Sequence, residues 1–536
     1  MKKYYYILLT MSALLFTGCG DEFLDKPPYG ILTNENYYQT EGDAFTALTA
    51  VYSQFAGEGD ELQFNAFEFG DMAADDAWKG GETDGDRPFV TDVAFYRAVS
   101  NNQIIQKYWV ENYRGIFRAN TLLDRLPDIP FNDENLKKRY TAEARVLRAF
   151  FYTILTGVYG EVPLVTHAVD FMSEDVIISR SSREDIHSFL RKELTEAAAD
   201  LPAGNATTKD IDWGQVTQGA AYGLLARVEL FFNAYPEAAA AAKKVIDSGV
   251  YELEPNYGML FINNDYVSKE SILEMLHANT GGKGDDSILA TYYRSRGVGG
   301  WGFLCPTKDL VDEFEIGDPR LLYTITETGD KFSAKDGTIE SKSGSDVVGQ
   351  DHRGYASGEG FHSRKMFIPA PRRADRNAMD VNIKSIRYAD VLLMYAEGLI
   401  ESNGDKTEAC KYINMVRDRA RKTPKFDLEA YGDTDADKKA SRVRQIADVD
   451  IPDVTPNSDY DVLRAAVRHE RRVELATESH RLYDLRRWEP EYMKNRIEKA
   501  RSFTVPGDWQ NRLKAFPIPQ REIDRTNGAY EQNKGW

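Results

Sequence analysis

Cysteine is scarce. The chain has 536 residues and three cysteines, Cys19, Cys305 and Cys410, too few for a disulfide framework. Nothing in their spacing brings Cys305 to Cys410, so both read as buried free thiols. Positive charge is also short: 67 Lys plus Arg stand against 85 Asp plus Glu, a net charge of −18. That balance excludes the basic footprint that nucleic-acid binding needs. No apolar run has a comfortable bilayer-spanning length of ~20 residues. The best internal contender, VLRAFFYTILTGVYGEVPLV (146–165), carries Arg148 and Glu161 and is broken by Gly160 and Pro163. It reads as a buried helix and its exit turn. Catalytic signatures are missing as well: there is no H-E-x-x-H, no G-x-S-x-G and no P-loop. GVGGWG (297–302) has the glycine spacing of a dinucleotide loop, but Pro306 follows at once and no strand–helix pattern brackets it. DTDAD (433–437) alternates acids like a calcium loop, yet Lys438 stands where glycine is needed and Arg444 where the bidentate glutamate is needed. No cofactor, metal or catalytic residue is therefore expected. Glycoside hydrolysis by two carboxylates stays open as an alternative with no residue attached to it.

What is abundant is aromatic: Tyr 30, Phe 26 and Trp 7 make 12% of the chain, a composition compatible with carbohydrate stacking, although most of these rings belong in a core. The N-terminus MKKYYYILLTMSALLFTGCG opens with Lys2 and Lys3 and runs uncharged from Tyr4 to Phe16, which fits a signal-peptide core. Thr17-Gly18-Cys19 then resembles the lipobox of bacterial lipoproteins, with Phe16 in place of the commoner Leu. That likeness implies a signal peptide over 1–18, lipid on Cys19, and firm anchoring by two or three acyl chains. GDEFLDKPPYGILT, after Cys19, reads as part of an extended tether over 19–42.

Helical periodicity starts near Asp43 and continues to the C-terminus as one domain, 43–536. Four blocks look like antiparallel helical pairs or their halves: 109–127 with 139–160, 219–249 around an Asn-Ala-Tyr-Pro turn, and 387–420 around Asn403-Gly404-Asp405. Pairs of about 34 residues with small residues at closest approach follow tetratricopeptide logic. A mostly α-helical scaffold of such pairs is the expected fold. Residues 250–380 are rich in Gly, Asp, Ser and aromatics and read as loops and short strands, and 422–460 as a surface insertion. Trp109, Trp213 and Trp488 sit in or beside periodic helices and are expected in the core.

One late stretch, VRHERRVELATESHRLYDLRRW (467–488), holds His469, His480, Glu470, Glu474 and many arginines. Its alternation suits charge-assisted pairs between neighbouring helices. Eleven residues separate the two histidines, which argues against a shared metal. The same stretch, together with YRGIFRANTLLDRL, AEARVLRAFFYTILTGVYGEVPLVT, PTKDLVDEFEIGDPRLLYTI, IRYADVLLMYAEGLIES and the closing FPIPQREIDRTNGAYEQNKGW, resembles the SusD/RagB family of surface glycan-binding lipoproteins over nearly the whole chain. Thr526-Asn527-Gly528 departs from the family's usual Asn-Pro and touches only a turn.

The resemblance implies a tetratricopeptide-like scaffold on the outer face of the outer membrane, glycan binding without cleavage, and partnership with a TonB-dependent transporter of the SusC type. Sugar recognition needs a flat ring for the apolar sugar face, with carboxylates and arginines reading hydroxyls. The loop GDMAADDAWKGGETDGDRPF (70–89), similar to the family's early glycan-site loop, offers Trp78 with Asp75, Asp76 and Arg87; TYYRSRGVGGWGFLC (291–305) offers Tyr292, Tyr293 and Trp301. These seven residues form the candidate glycan site. A helical scaffold that holds peptides instead is the remaining rival, and it requires the aromatics of both loops to be buried.

Overall fold

The computed structural model describes residues 38–57, 61–83, 85–169, 178–262, 267–277, 287–296, 300–327, 331–332, 346–347, 359–365, 381–424 and 448–536. The signal peptide, Cys19, most of the tether and the acidic run at 433–437 lie outside these residues.

The first helix, α1 (Glu41–Ala56), starts where the sequence supplies a capping box: Thr40 Oγ1 accepts from Asp43 N, and the Asp43 carboxylate accepts from Thr40 N at 2.8 Å. The next helices are α2 (Gln103–Arg125), α3 (Glu134–Tyr159), α4 (Arg183–Ala197), α5 (Gln218–Phe231) and α6 (Tyr235–Asp247). Asn102, Asp133, Ser182 and Thr217 cap four of them by accepting from backbone N–H groups, and Pro236 opens the last. Four more follow the strand-bearing region: α7 (Tyr388–Glu401), α8 (Lys406–Lys422), α9 (Tyr460–Glu474) and α10 (Arg481–Arg487). The last long helix is α11 (Pro490–Arg501). From α2 to α8 each helix in this series packs on the next, α9 packs on α7 and α8, and α1 lies across α2 and α3. Close approach is allowed by small residues, as where a Cβ on Gly398 of α7 would stand 2.8 Å from the Tyr235 carbonyl and 3.0 Å from Ala239 of α6. This is the tetratricopeptide-like scaffold that the periodicity predicts.

Strands are short and come in antiparallel pairs: Ala77–Gly80 with Phe303–Pro306, Ser271–Met275 with Ile383–Arg387, and Ile325–Glu327 with Phe361–Ser363 among them. Most of these lie in the loop-rich stretch. Cys305 and Cys410 are buried and do not pair with each other. Trp109 and Trp488 are core residues. Trp213 departs from that expectation: it sits half-buried in a turn and not on a helix.

The charged stretch at 467–488 is interior. Arg320 donates to Glu470 and Glu474, while Arg387 donates to Glu270, Glu474 and Glu478. Arg417 pairs with Glu470, Arg419 with Glu270 and Glu474, and Lys365 with Glu478. On the other side of α9, Arg471 binds Asp390 and Asp484, and Arg487 binds Glu397 and Asp484. Burial would push the Glu474 carboxyl up, but Arg419, Arg387 and Arg320 outweigh it and hold it far below the usual carboxylate range. Two clusters of opposite charges thus tie α7, α8, α9 and α10 to one another and to the loop-rich stretch. The charges hold the fold together, as the alternation suggested.

Candidate functional site

The two loops singled out in the sequence do meet. Strand Ala77–Gly80 runs antiparallel to Phe303–Pro306, with Trp78 opposite Cys305 and Gly80 opposite Phe303. Gly80 is required there: its φ is 78°, and a Cβ would lie 2.1 Å from the Gly302 carbonyl. The Gly81 N–H then donates to that carbonyl at 2.8 Å, which sets Trp301 near the far end of the same ribbon.

Their side chains divide into two groups. Asp75 and Asp76 are fully buried. Asp75 takes two hydrogen bonds from Arg481, at 2.7 and 2.9 Å, and one from Arg496 at 3.0 Å; Asp76 takes one from Arg472 at 2.8 Å. Burial raises the Asp75 carboxyl, but Arg481 and Arg496 outweigh it and hold it at about 2. Burial, then the neighbouring Asp75 charge, pushes Asp76 up. Tyr292 and Tyr293 are 0% exposed. The Tyr292 ring is stacked between Phe64 and Phe303, each 4.3 Å away, and its hydroxyl donates to Glu68 at 2.6 Å. Arg87 donates to the same Glu68 oxygen at 2.6 Å and lies over the rings of Phe64, Phe89 and Tyr292. Asp75, Asp76, Tyr292 and Tyr293 are thus corrected: they support the ribbon from below, because carboxylates buried against arginines and rings with no exposed face present nothing at the surface to a sugar. Arg87, half-buried, is engaged in the same support.

Trp78 and Trp301 remain at the surface. Trp301 is 36% exposed and meets Tyr292 edge-on at 6.0 Å. Trp78 is half-buried. Its Nε1 donates to Glu359 Oε2 at 3.2 Å, Phe95 lies 6.2 Å away, and the Arg501 guanidinium sits 5.8 Å from the ring centre. Phe503 meets Phe95 edge-on at 4.9 Å. Arg501 is itself fixed by the Ala94 and Ala77 carbonyls, each at 2.6 Å. The result is an indole with a set orientation beside two further half-buried rings. Phe95, Glu359, Arg501 and Phe503 were not identified from sequence, because they come from three distant segments that only the fold brings together. Chemically the patch offers ring faces and the Glu359 carboxylate, the two kinds of group that sugar recognition uses.

The fold and the ribbon place the molecule among helical-repeat proteins that carry a loop-built binding face. Residues 269–536 match the sequence model of the SusD family, and residues 22–230 match a second model described as "Starch-binding associating with outer membrane". The chain belongs to the SusD/RagB family. SusD-like protein P38 of Formosa agariphila is 26% identical over 518 residues, covering 90% of this chain and 92% of that protein. A SusD-like protein of Bacteroides ovatus is 24% identical, with 79% and 77% covered. Among solved structures, a laminarin-binding SusD-like protein superposes with a TM-score of 0.71 at 26% identity, over 93% of this chain and all of the other. Surface glycan-binding protein A from Bacteroides thetaiotaomicron, solved with laminarihexaose, gives 0.70 at 20% identity over 92% of this chain and all of its own, a likeness of fold.

Proposed function

We propose that this protein is a cell-surface glycan-binding lipoprotein, anchored in the outer membrane through Cys19, that captures an oligosaccharide and passes it to a TonB-dependent transporter of the SusC type. Trp78 is the central platform, with Phe95 and Phe503 beside it and Trp301 as a second ring on the same ribbon. The observation that carries the reading is the Trp78 indole itself: surface-accessible, held by Glu359, and seated on a rigid buried ion network in a member of this family. A ring fixed before binding loses little conformational freedom when a sugar stacks on it. The laminarin-binding relative supports the ligand class, and the outer-membrane description of the family supports the address. The pairing of the carboxylates beneath the ribbon with arginines supports binding without cleavage.

The test is a glycan array probed with soluble protein lacking residues 1–19, followed by titration calorimetry and a reducing-end assay. Saturable binding with no new reducing ends is expected. New reducing ends point to the hydrolase alternative, and no affinity for any glycan points to the peptide scaffold. Partnership is tested by affinity purification from mild detergent, where one large β-barrel is expected to co-purify.

A further inference from the structure

We propose a second carbohydrate site, in the cleft between α1, α3 and the turn at 212–215, with Trp213 as its fixed wall. It shares no residue with the Trp78 ribbon and rests on the glycan reading above. The cleft has a volume of about 350 Å³, within the ~300–1,000 Å³ span of small-ligand sites.

Trp213 is held as firmly as Trp78. Its Nε1 donates to Glu274 Oε2 at 3.1 Å, and buried Glu274 is fixed in turn by Ser271 Oγ at 2.6 Å and Lys384 Nζ at 3.0 Å. Phe45 of α1 also lines the cleft; it is 57% exposed and lies 6.2 Å from the Tyr140 ring. That exposure leaves part of the Phe45 ring free to meet a ligand in the cleft. Polar groups line the same cleft. Arg139 lies over Tyr140 with its side chain 34% exposed, and Gln215 Nε2 is held by Glu143 at 3.2 Å. Asp212 is exposed at the edge of the same cleft. A pyranose ring has an apolar C–H face and a rim of hydroxyls. Rings from α1, α3 and the turn, together with Arg139, Asp212 and Gln215, match both parts. One arginine beside acids of opposite sign favours a neutral glycan over a charged one.

The test is a printed array of defined β-glucan, α-glucan, xylan, mannan and galactan oligosaccharides. It is probed with the wild-type protein and with Trp78→Ala, alone and combined with Trp213→Ala or Phe45→Ala. Phe45→Ala is the variant that keeps the fold, since most of that side chain is already in solvent; thermal melting checks both. Residual signal in Trp78→Ala, lowered at least about three-fold by either second change, is expected. Signals abolished by Trp78→Ala alone, or residual signal unmoved by both second changes, overturn the second site and leave the first intact. A wild-type protein silent on all five classes overturns both.

Discussion

Replacing Glu474 with Gln tests the role of the charged interior most directly. The carboxylate accepts from Arg387 at 2.5 Å and from Arg320 at 2.9 Å, and it also pairs with Arg419. Around it the cations Arg320, Arg387, Arg417, Arg419 and Lys365 face the anions Asp318, Glu270, Glu470, Glu474 and Glu478. The amide keeps the shape, removes one of the negative charges, and turns an NH₂ group toward a guanidinium. Taking one partner from a buried charge set costs about 3–5 kcal/mol, a large part of a typical folding free energy of ~5–15 kcal/mol. The control is Asp418→Asn, whose partner Lys422 is 72% exposed; surface pairs of that kind contribute at most about 1 kcal/mol. Urea unfolding followed by circular dichroism compares the two variants with the wild type. A Glu474→Gln protein within about 1 kcal/mol of the control refutes the reasoning. It would mean that water or side-chain rearrangement relieves the excess positive charge.

Trp78→Ala is expected to weaken glycan binding by about ten-fold, since 1.4 kcal/mol is a factor of ten, while melting falls by less than the ~3–5 kcal/mol of a core Trp truncation; calorimetry and thermal melting on one preparation separate the two. Tyr292→Phe, which strips a buried hydroxyl from Glu68, should cost about 1–3 kcal/mol with glycan affinity unchanged, and lost affinity with unchanged melting would return Tyr292 to the binding face. Asp75 and Asp484 are each held at about 2, burial being outweighed by Arg481 and Arg496 for the first and by Arg471 and Arg487 for the second. Their contribution is present above the ordinary Asp value of ~3.9 and is lost as pH falls from there through 2, so urea midpoints should drop over that window. His469 behaves oppositely: burial lowers it, but hydrogen bonds to Glu313 and Glu315 outweigh burial and raise it to about 9. Its contribution is present below ~6.5 and lost as pH rises through 9, and His469→Gln should flatten that alkaline limb. Cys19→Ala should abolish labelling by radioactive palmitate, and normal labelling of the variant would dismiss the lipid anchor.

Much of the scaffold was legible because helix periodicity and caps are local. The Asn-Ala-Tyr-Pro and Asn403-Gly404-Asp405 turns mark helix boundaries in the sequence, and the structure ends one helix and starts the next at each. The role of the 467–488 stretch was legible for a related reason: charges alternating at helical spacing with apolar residues need opposite charges on neighbouring elements. The candidate site was legible only in part. Trp78 and Trp301 stood out by their polar and glycine-rich settings, and both reach the surface. Asp75 and Asp76 looked equally polar, yet their partners Arg472, Arg481 and Arg496 come from the other end of the chain. Tyr292 looked like a loop aromatic, but its enclosure depends on Phe64, also far away in sequence. Burial set by such distant pairings leaves no local signal. Trp213 shows the converse: a tryptophan between helices looks like core until a turn lifts it to the edge of a cleft.

The acids under the ribbon impose an order on how this chain is made. Asp76 waits for Arg472, 396 positions later, and Asp75 for Arg481 and Arg496, 406 and 421 positions later. A chain emerging N-terminus first from a ribosome or a membrane pore presents two adjacent carboxylates long before any of those guanidiniums exist to receive them. Early helices are free to form, since their contacts are sequence neighbours, but the ribbon cannot settle until the last tenth of the polypeptide is out. A product truncated ahead of Arg472 would therefore carry an unclosed ribbon, with Asp75 and Asp76 left without their guanidinium partners.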